Sequence, residues 1–326
     1  METLKDLTTD SLNSLLEDFL VQKRALGYKY NEQAYSLRRF IKFIDDYDPK
    51  GENLSKVAVL EYCERRSHET PKTQANRITD LRQFIAYLNA NGFEVYLPML
   101  PHKQQSEYLP YIFTHEQMSL IIATADSLKK YSRYNCAEVY PVLFRVLYGC
   151  GLRVSEVLNL RIYDVNLMEC TLTIRESKFG KSRLVVMDNS LVRIISRFLD
   201  EECKLSKESD YLFQNRDGTK RSRRAVYECF RELLWKCGIP FRGRGYGPRL
   251  HDVRYTFCCH SLKKMSDAGI DMYCALPVLS AFVGHSEITA TERYLCLTEE
   301  FYPDVRNKVQ MTASLVYPEV YIHEAD

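Results

Sequence analysis

The chain has 326 residues, a length typical of about two domains. Lysine and arginine (45) nearly balance aspartate and glutamate (43), so the net charge of +2 does not by itself indicate a nucleic-acid partner. The polar, acidic N-terminal sequence is unlike a secretory signal peptide, and no apolar run approaches the roughly 18 residues that a membrane span needs. The 11 cysteines show no CxxC spacing, which argues against a zinc framework or a disulfide scaffold and indicates a reducing compartment.

The first hundred residues are predicted to be helical. Leucine and phenylalanine recur at helical spacing between Leu12 and Leu20, with Asp10 or Ser11 as the expected cap and Gly27 as the expected end. Similar patterns predict three further helices: one over residues 37–44, one from Ser55 to about Arg65, and one that begins after Pro71 and is ended by Asn91-Gly92. We therefore expect residues 1–92 to form a four-helix bundle with its own core.

Residues 93–113 interrupt this periodicity. They contain three prolines and no sustained apolar pattern, which favours an interdomain linker over a long loop inside one domain, because compact domains rarely contain a structureless loop of about 20 residues. Thr114 and Gln117 then have the spacing of a capping box and predict the start of a new helix. We expect a second domain over residues 114–300 and a tail over residues 301–326.

The second domain is predicted to be mainly helical with one β-hairpin. Two β-prone runs, Thr171–Ile174 and Arg183–Val186, flank the basic segment 177–181. Helical patterns are predicted in five further segments: 191–199, 224–236, 253–268, 276–283 and 290–294. The expected fold class is therefore mainly α with a small antiparallel β-sheet.

Three basic residues in this domain are candidates for an anion site. Arg153 precedes a helix predicted to begin at Ser155 or Glu156. At this position its planar guanidinium group can donate two parallel hydrogen bonds to a phosphate. His251 and Arg254 are three positions apart on a predicted helix, so both side chains lie on one face. Taken singly, each is more typical of an ordinary capping, packed or solvated position.

Four further residues extend this set. His285 follows a predicted apolar helix and is placed to donate to a phosphate oxygen, although a packed histidine is the ordinary alternative. Lys178 and Lys181 lie in the hairpin turn, from which a lysine can reach a leaving oxygen as general acid, and position alone does not choose between them. Tyr294 is the candidate nucleophile, since cationic neighbours can stabilise the anion of a phenol whose pKa is about 10. The ordered set is far more specific than any one member.

These segments resemble the tyrosine recombinase (phage integrase) family, which includes transposon and Xer-type recombinases. GLRVSEVLNLRIYDV resembles its first arginine box, SKFGKSRLVV its hairpin, LHDVRYTF its HxxR box and FVGHSEITATERYL the box that ends in the tyrosine. The matched segment runs from about Thr114 to Leu297. Residues 1–92 are similar to the family's core-binding, DNA-clamping domain in length and helix count. The adjacent Cys258 and Cys259 are unusual after the HxxR box and are expected to lie off the site.

The resemblance implies an α+β tyrosine-recombinase catalytic domain with six catalytic residues: Arg153, Lys178, His251, Arg254, His285 and Tyr294. The implied reaction is site-specific strand exchange, in which the arginines and His285 hold the scissile phosphate while Tyr294 forms a 3′-phosphotyrosyl intermediate. Lys178 would protonate the leaving oxygen, and His251 would assist proton transfer. Because the covalent link preserves the phosphodiester energy, no metal, ATP or other cofactor is expected.

The implied partner is double-stranded DNA carrying a specific recombination site, bound by a homo- or hetero-tetramer that holds two duplexes, in the cytoplasm at the nucleoid and without a membrane. Ten basic residues are expected to contact backbone phosphates: Lys72, Arg77, Arg82, Lys181, Arg221, Arg223, Arg224, Arg242, Arg244 and Arg249. In the tail, the apolar residues 315–317 and Val320 are expected to dock on a neighbouring protomer.

Two other functions remain open from the sequence alone. A type IB topoisomerase would use the same chemistry without bringing two duplexes together, and a DNA-binding accessory protein of a mobile element would have lost catalysis. The tail and the two-domain layout favour a recombinase over a topoisomerase. The six filled positions argue against an inactive protein, and no Asp/Glu/His cluster accompanies the motifs as a metal nuclease would require.

Overall fold

The computed structural model describes residues 8–47, 54–101, 109–128, 136–175, 182–243, 246–284, 294–298, 302–305 and 307. The chain divides into two compact units, residues 1–107 and 108–326. This division falls inside the segment that was expected to be a linker, but both ends of that segment pack into cores. Val95 is buried in the core of the first unit, and Phe113 is buried in the core of the second.

Four helices make up the described part of the first unit: α1 (Thr9–Ala25), α2 (Asn31–Tyr47), α3 (Lys56–Cys63) and α4 (Pro71–Ala90). Helix α1 is capped by Thr8, whose side chain accepts a hydrogen bond from the backbone N–H of Ser11, so the expected cap at Asp10 or Ser11 is corrected to Thr8. Pro71 lies in the first turn of α4, where its missing N–H leaves no helical bond unmade. Phe19, which packs against Phe84 with ring centroids 5.6 Å apart, lies in the buried core that these helices share.

The described part of the second unit contains seven α-helices with complete bounds, a 3-10 turn at Ile162–Asp164 and three short strands, and residues 294–298 are helical as well. The elements are α5 (His115–Asp126), α6 (Cys136–Gly149), α7 (Val154–Asn159), β1 (Val165–Asn166), β2 (Thr171–Ile174), β3 (Arg183–Val186), α8 (Asn189–Glu202), α9 (Arg223–Lys236), α10 (Asp252–Asp267) and α11 (Met272–Val283). The expected fold class, mainly α with a small antiparallel sheet, is confirmed. In the described residues no helix is both long and apolar enough to cross a membrane.

The predicted hairpin is confirmed, with the expected bounds on both strands. β2 pairs antiparallel with β3 so that Thr171 faces Val186 and Ile174 faces Arg183. The sheet has the order β1-β2-β3, and its two-residue strand β1 was not predicted because so short a strand carries no readable period. The capping box at the start of α5 is also confirmed, since Thr114 and Gln117 exchange both of its hydrogen bonds.

Helix α6 is the central element of the second unit and was missed by periodicity. It contacts α5, α7, α8 and α10, so nearly all of its side chains from Val139 to Leu147 are buried. A helix that is apolar on every side has no amphipathic period to read. Its C-terminal end leads into the turn that carries Arg153, so α6 anchors the candidate site in the core.

Candidate active site

Arg153 is held at the start of α7 by a glycine turn and by Glu156. Gly151 has a φ of +58°, and a Cβ at this position would lie 2.2 Å from the ring of Phe257, so the turn requires glycine. Arg153 occupies the N-cap, and Val154 begins the helix one residue before the expected start. Glu156 accepts hydrogen bonds from the Arg153 backbone N–H (2.9 Å) and from its Nη1 (2.8 Å). The side chain remains 25% exposed, so an anion can still approach it.

Arg254 is fixed inside the protein rather than at its surface. The residue is only 2% exposed, and its guanidinium donates to the carbonyl oxygens of Gly151 (2.8 Å) and Val283 (2.7 Å). These bonds tie α10 to the turn after α6 and to the end of α11. Burial lowers the pKa of Arg254, but an arginine with a usual value above 12 stays charged. The site therefore has a permanent positive charge in a fixed orientation.

Glu156 links the arginines of the site. Besides Arg153, it accepts from both terminal nitrogens of Arg183, each at 3.1 Å, and one of its oxygens lies 3.9 Å from Arg254 Nη1. Burial alone would raise the pKa of this carboxyl, but the hydrogen bonds from Arg183 and the Arg153 backbone, with the charges of both arginines, lower it to about 2. One carboxylate thus faces three guanidinium groups, which leaves the cluster net positive.

Arg183 is a residue of the site to which sequence reasoning gave no role. It begins β3, its Nε donates to the carbonyl of Phe282 (3.0 Å), and its guanidinium lies beside Gly284, the left-handed C-cap of α11. A Cβ on Gly284 would lie 2.8 Å from Arg183 Nη1, so this glycine leaves the space that the guanidinium needs. Nothing in the spacing of the sequence connects residues 156 and 183, and only the folded chain shows the pair.

Tyr294 lies against Arg254 in the protein interior. The residue is 3% exposed, and its hydroxyl lies beside the Arg254 guanidinium, whose positive charge stabilises the phenolate form. Its ring meets the Tyr255 ring edge-on at 5.1 Å, and Thr298 Oγ1 donates to its carbonyl oxygen at 2.7 Å. Burial raises the pKa of Tyr294, and the nearby Arg254 charge only partly opposes this rise. At neutral pH the phenol is therefore protonated in this conformation.

The cysteine pair that was expected to lie off the site contacts Tyr294. Cys258 follows Arg254 by one helical turn, so the two side chains share a face of α10, and Cys258 packs in the same buried cluster as Tyr294. The Cys259 thiol lies 3.9 Å from the Tyr294 carbonyl oxygen. The expectation was wrong because the sequence did not show that the segment bearing Tyr294 packs along this helix.

His251 occupies the N-cap of α10, and its ring meets that of Tyr255 edge-on at 5.5 Å. His251 is exposed to solvent, yet the pKa of its imidazole is lowered to about 4. The causes are the surrounding protein, which displaces water from one side of the ring, and then the positive charges of Arg254 and Arg153. His251 is therefore neutral at pH 7 and able to accept a proton.

The predicted site residues fall into two groups. Arg153, His251, Arg254 and Tyr294 lie in one cluster. Lys178, Lys181, His285 and Arg244 fall outside the described residues. No group of three or more His, Cys, Asp or Glu residues suited to a metal occurs in the described ranges.

Two of the residues expected to contact DNA are instead buried and engaged within the protein. Arg77 is 6% exposed and pairs with Glu69 at 2.7 Å, and it also donates to the carbonyl of Glu64 at 3.0 Å. Arg221 is 4% exposed, lies over the ring of Tyr140 and donates to a backbone carbonyl at 3.2 Å. Both guanidinium groups are engaged by other groups of the protein in this structure, so the structure gives no support to a phosphate contact by either residue.

The other described candidates for DNA contact are more accessible. Arg82 is half-buried and donates to the carbonyl of Pro98, so its guanidinium is already engaged. The remaining five are exposed: Lys72, Arg223, Arg224, Arg242 and Arg249. Arg224 pairs with Glu228 at 2.7 Å on the surface of α9. Arg223 lies near enough to His251 to contribute to its lowered pKa, which places the start of α9 beside the site.

The fold and this cluster define a mainly helical domain in which three arginines surround a buried carboxylate and one of them, Arg254, also lies beside a buried tyrosine hydroxyl. The model of the Phage integrase family matches residues 112–300, and the chain belongs to that family. The putative integrase/recombinase y4rB of Sinorhizobium fredii is 28% identical over 305 residues, which cover 90% of this chain and 96% of that protein. Tyrosine recombinase XerD of Listeria monocytogenes is 24% identical over 310 residues, covering 90% and 97%. The predicted family and enzyme class, a tyrosine-type site-specific recombinase, are confirmed.

Solved structures share the fold. The XerH site-specific recombinase bound to palindromic difH substrate, a post-cleavage complex, matches with a TM-score of 0.65 and 17% identity over 92% of this chain and 84% of that one. The Tn1549 transposon integrase in complex with transposon right-end DNA matches with a TM-score of 0.59 and 17% identity, covering 86% and 94%. Both similarities extend over most of the present chain.

Proposed function

We propose that this chain is an active recombinase that cuts and rejoins DNA strands through a covalent bond between a 3′-phosphate and Tyr294. One observation carries the proposal: a single buried carboxylate, Glu156, lies within 4 Å of both Arg153 and Arg254, and Arg254 also contacts the Tyr294 hydroxyl. Phosphate-binding groups and a nucleophile are thus already gathered in the free protein. The DNA-bound recombinases of the same fold support DNA as the partner.

The chemistry follows from the charges in this cluster. The exposed edge of Arg153 and the fixed charge of Arg254 would bind non-bridging oxygens of the scissile phosphate and stabilise the negative charge that grows in the transition state. The Tyr294 oxygen forms a bond to phosphorus as the bond from phosphorus to the 5′-oxygen breaks, and the leaving oxygen takes up a proton. One P–O bond forms as another breaks, so the phosphodiester energy is kept in the protein–DNA bond. The reverse reaction with another 5′-hydroxyl can then rejoin a strand.

Proton transfer is assigned to His251 and Lys178. The lowered pKa keeps His251 in the neutral form that can accept a proton at pH 7, and the negative charge of a bound phosphate would raise this pKa and make the ring a stronger base as the phenol becomes a nucleophile. Lys178, which lies between β2 and β3 in the sequence, is proposed to protonate the 5′-oxygen, and His285 is proposed to assist the arginines at the phosphate. All energy for rejoining is stored in the phosphotyrosyl bond, so the mechanism uses neither ATP nor a metal.

DNA binding is proposed to involve both parts of the chain. Residues 1–92 would act as the helical clamp and residues 114–300 as the catalytic domain. The exposed Lys72, Arg223, Arg242 and Arg249 are the remaining candidates for backbone contacts, and they predict strongly salt-dependent affinity. Strand exchange between two duplexes would require four copies, either of this chain or of this chain with a partner recombinase, and the tail 301–326 is proposed to dock between neighbouring copies.

Trapping of the covalent intermediate tests this function. Nicked duplexes tiled across the DNA that flanks the coding sequence would be incubated with the protein and analysed for adducts that survive denaturation. We expect an adduct at one site with the wild type and with Tyr273→Phe, an exposed control on α11, and none with Tyr294→Phe. Exchange between two duplexes would identify a recombinase, whereas relaxation of supercoils without exchange would identify a topoisomerase. Specific binding without any adduct would instead favour an inactive accessory protein.

A further inference from the structure

Arg183 is held by every nitrogen of its guanidinium group. Nη1 and Nη2 donate to the two oxygens of Glu156, each at 3.1 Å, and Nε donates to the carbonyl oxygen of Phe282 at 3.0 Å. The side chain is only 11% exposed, and a Cβ on Gly284 would lie 2.8 Å from its Nη1. The guanidinium is therefore fixed in one orientation, between α7 and the end of α11.

The bonds from Arg183 fill the positions at which Glu156 could accept further hydrogen bonds. A carboxylate has about four lone-pair positions. Arg183 takes two of them, and Arg153 takes the others through its backbone N–H (2.9 Å) and its Nη1 (2.8 Å). Arg153 consequently meets Glu156 through a single side-chain hydrogen bond, although an arginine and a carboxylate often pair through two parallel bonds.

We propose that Arg183 is a positioning residue for Arg153. By occupying both oxygens of Glu156, it prevents Arg153 from closing on that carboxylate through two bonds, and it thereby keeps the outer nitrogens of Arg153 available to a phosphate. The Arg153 side chain is 25% exposed, so a phosphate can approach these nitrogens. The consequence for DNA cleavage rests on the proposed function, but the arrangement of the three side chains exists without DNA.

The charges of the cluster act in the same direction. Arg183 shares the negative charge of Glu156 with Arg153, and the Nη1 of Arg254 lies 3.9 Å from the same carboxylate. Without the charge of Arg183, the carboxylate would attract Arg153 more strongly, and an incoming phosphate would meet a less positive site. The geometry and the charge can be separated, because a lysine at position 183 keeps the charge but has only one nitrogen with which to donate.

Two substitutions of Arg183 test the role in cleavage. Arg183→Met removes both the charge and the bonds, whereas Arg183→Lys keeps the charge but cannot span both Glu156 oxygens and the Phe282 carbonyl. The rate of adduct formation at saturating DNA should fall about tenfold in both variants, the factor that one charge-assisted hydrogen bond corresponds to. DNA affinity should stay unchanged, because it depends on many other phosphate contacts. The matched control is Arg175→Lys, which alters an arginine at the base of the same hairpin that pairs with Asp164.

The pattern of rates separates positioning from charge and from damage to the fold. Arg175→Lys should cleave at the wild-type rate. A wild-type rate in Arg183→Lys would show that the charge alone suffices, and an equal loss in Arg175→Lys would show that any disturbance of the hairpin slows cleavage. Either result would overturn the inference, and so would a loss of DNA affinity as large as the loss of rate.

The reactivity of Arg153 tests the same inference without DNA. Phenylglyoxal modifies accessible guanidinium groups, and the modified peptides are quantified by mass spectrometry. Arg153 should react severalfold more slowly in both Arg183 variants than in the wild type, because its guanidinium closes on Glu156. Arg224, whose side chain is 87% exposed on α9, should react equally in all three proteins.

Damage to the fold would change this reactivity in the opposite direction, since a loosened site exposes Arg153. An unchanged or faster reaction of Arg153 in the Arg183 variants would therefore overturn the inference, even in a protein that cleaves DNA. If the wild type forms no adduct, the proposed function fails, and the reactivity of Arg153 alone then decides whether Arg183 positions it.

Discussion

The substitution Glu156→Gln probes the group that holds the arginines together. Glutamine has nearly the shape of glutamate but no charge, and its amide brings two donors toward guanidinium groups that are also donors. Arg153 and Arg183 would lose the acceptor that now fixes them, and three positive charges would face one another without compensation. We expect a large loss of stability from a small change in shape.

The pKa of Glu156 sets the size of this loss. Its shift from a usual value near 4.5 to about 2 means that the folded protein stabilises the ionised carboxylate by about 3 kcal/mol, at 1.36 kcal/mol for each pKa unit. The side chain is almost fully buried, so solvent does not screen this interaction. The value agrees in size with the roughly 3–5 kcal/mol found when one partner of a buried ion pair is removed.

Chemical denaturation at pH 7 and at acidic pH tests this estimate. The pKa of Glu156 is depressed in the folded state. Its contribution to the free energy of unfolding is therefore fully present above pH 4.5 and is lost as the pH falls through about 2. Glu156→Gln should therefore be about 3 kcal/mol less stable at pH 7 and should lack part of the acid-induced loss between pH 4.5 and 2. Glu228→Gln, which breaks the exposed pair with Arg224, should cost less than about 1 kcal/mol. Equal costs for the two variants, or an unchanged acid profile in Glu156→Gln, would refute the reasoning.

Three further predictions concern the turn, the histidine and the DNA-facing surface. Gly151→Ala should destabilise the protein by several kcal/mol more than Gly238→Ala, since both have positive φ but only the first Cβ meets an aromatic ring; equal melting temperatures would contradict this. NMR titration of the DNA-free protein should give His251 a midpoint near pH 4, and a midpoint of 6.5 or above would show that neither burial nor the arginine charges lower its pKa. Arg77→Ala should lower stability by about 3 kcal/mol, whereas Lys72→Ala should leave stability unchanged and reduce the salt dependence of DNA binding by about one charge; the reverse pattern would contradict these placements.

Local features of the second unit were predictable because their causes lie close together in sequence. The hairpin follows from two β-prone runs that are close in sequence, and the start of α5 follows from a capping box that spans four residues. The meeting of Arg153 with Arg254 was implied by the ordered motifs and their family resemblance. No periodicity alone would have brought together two residues that are 101 positions apart.

Features that depend on tertiary neighbours could not be predicted. An arginine in a basic segment looks solvated in sequence, and only the folded chain shows that Arg77 is enclosed with Glu69. The role of Arg183 depends on a carboxylate 27 residues away, and the contact of Cys259 with Tyr294 depends on how the segment bearing Tyr294 packs on α10. In each case the decisive contact joins elements whose relative placement no local pattern encodes.

The central claim is that a phenol, held among the arginines of the second unit, becomes covalently attached to DNA. Mass spectrometry of the trapped and nuclease-digested protein measures this attachment directly. The account predicts a nucleotide linked through a 3′-phosphate to the peptide that contains Tyr294, and to no other tyrosine. Attachment at a different residue, or a cleaved strand that carries no protein, would contradict it.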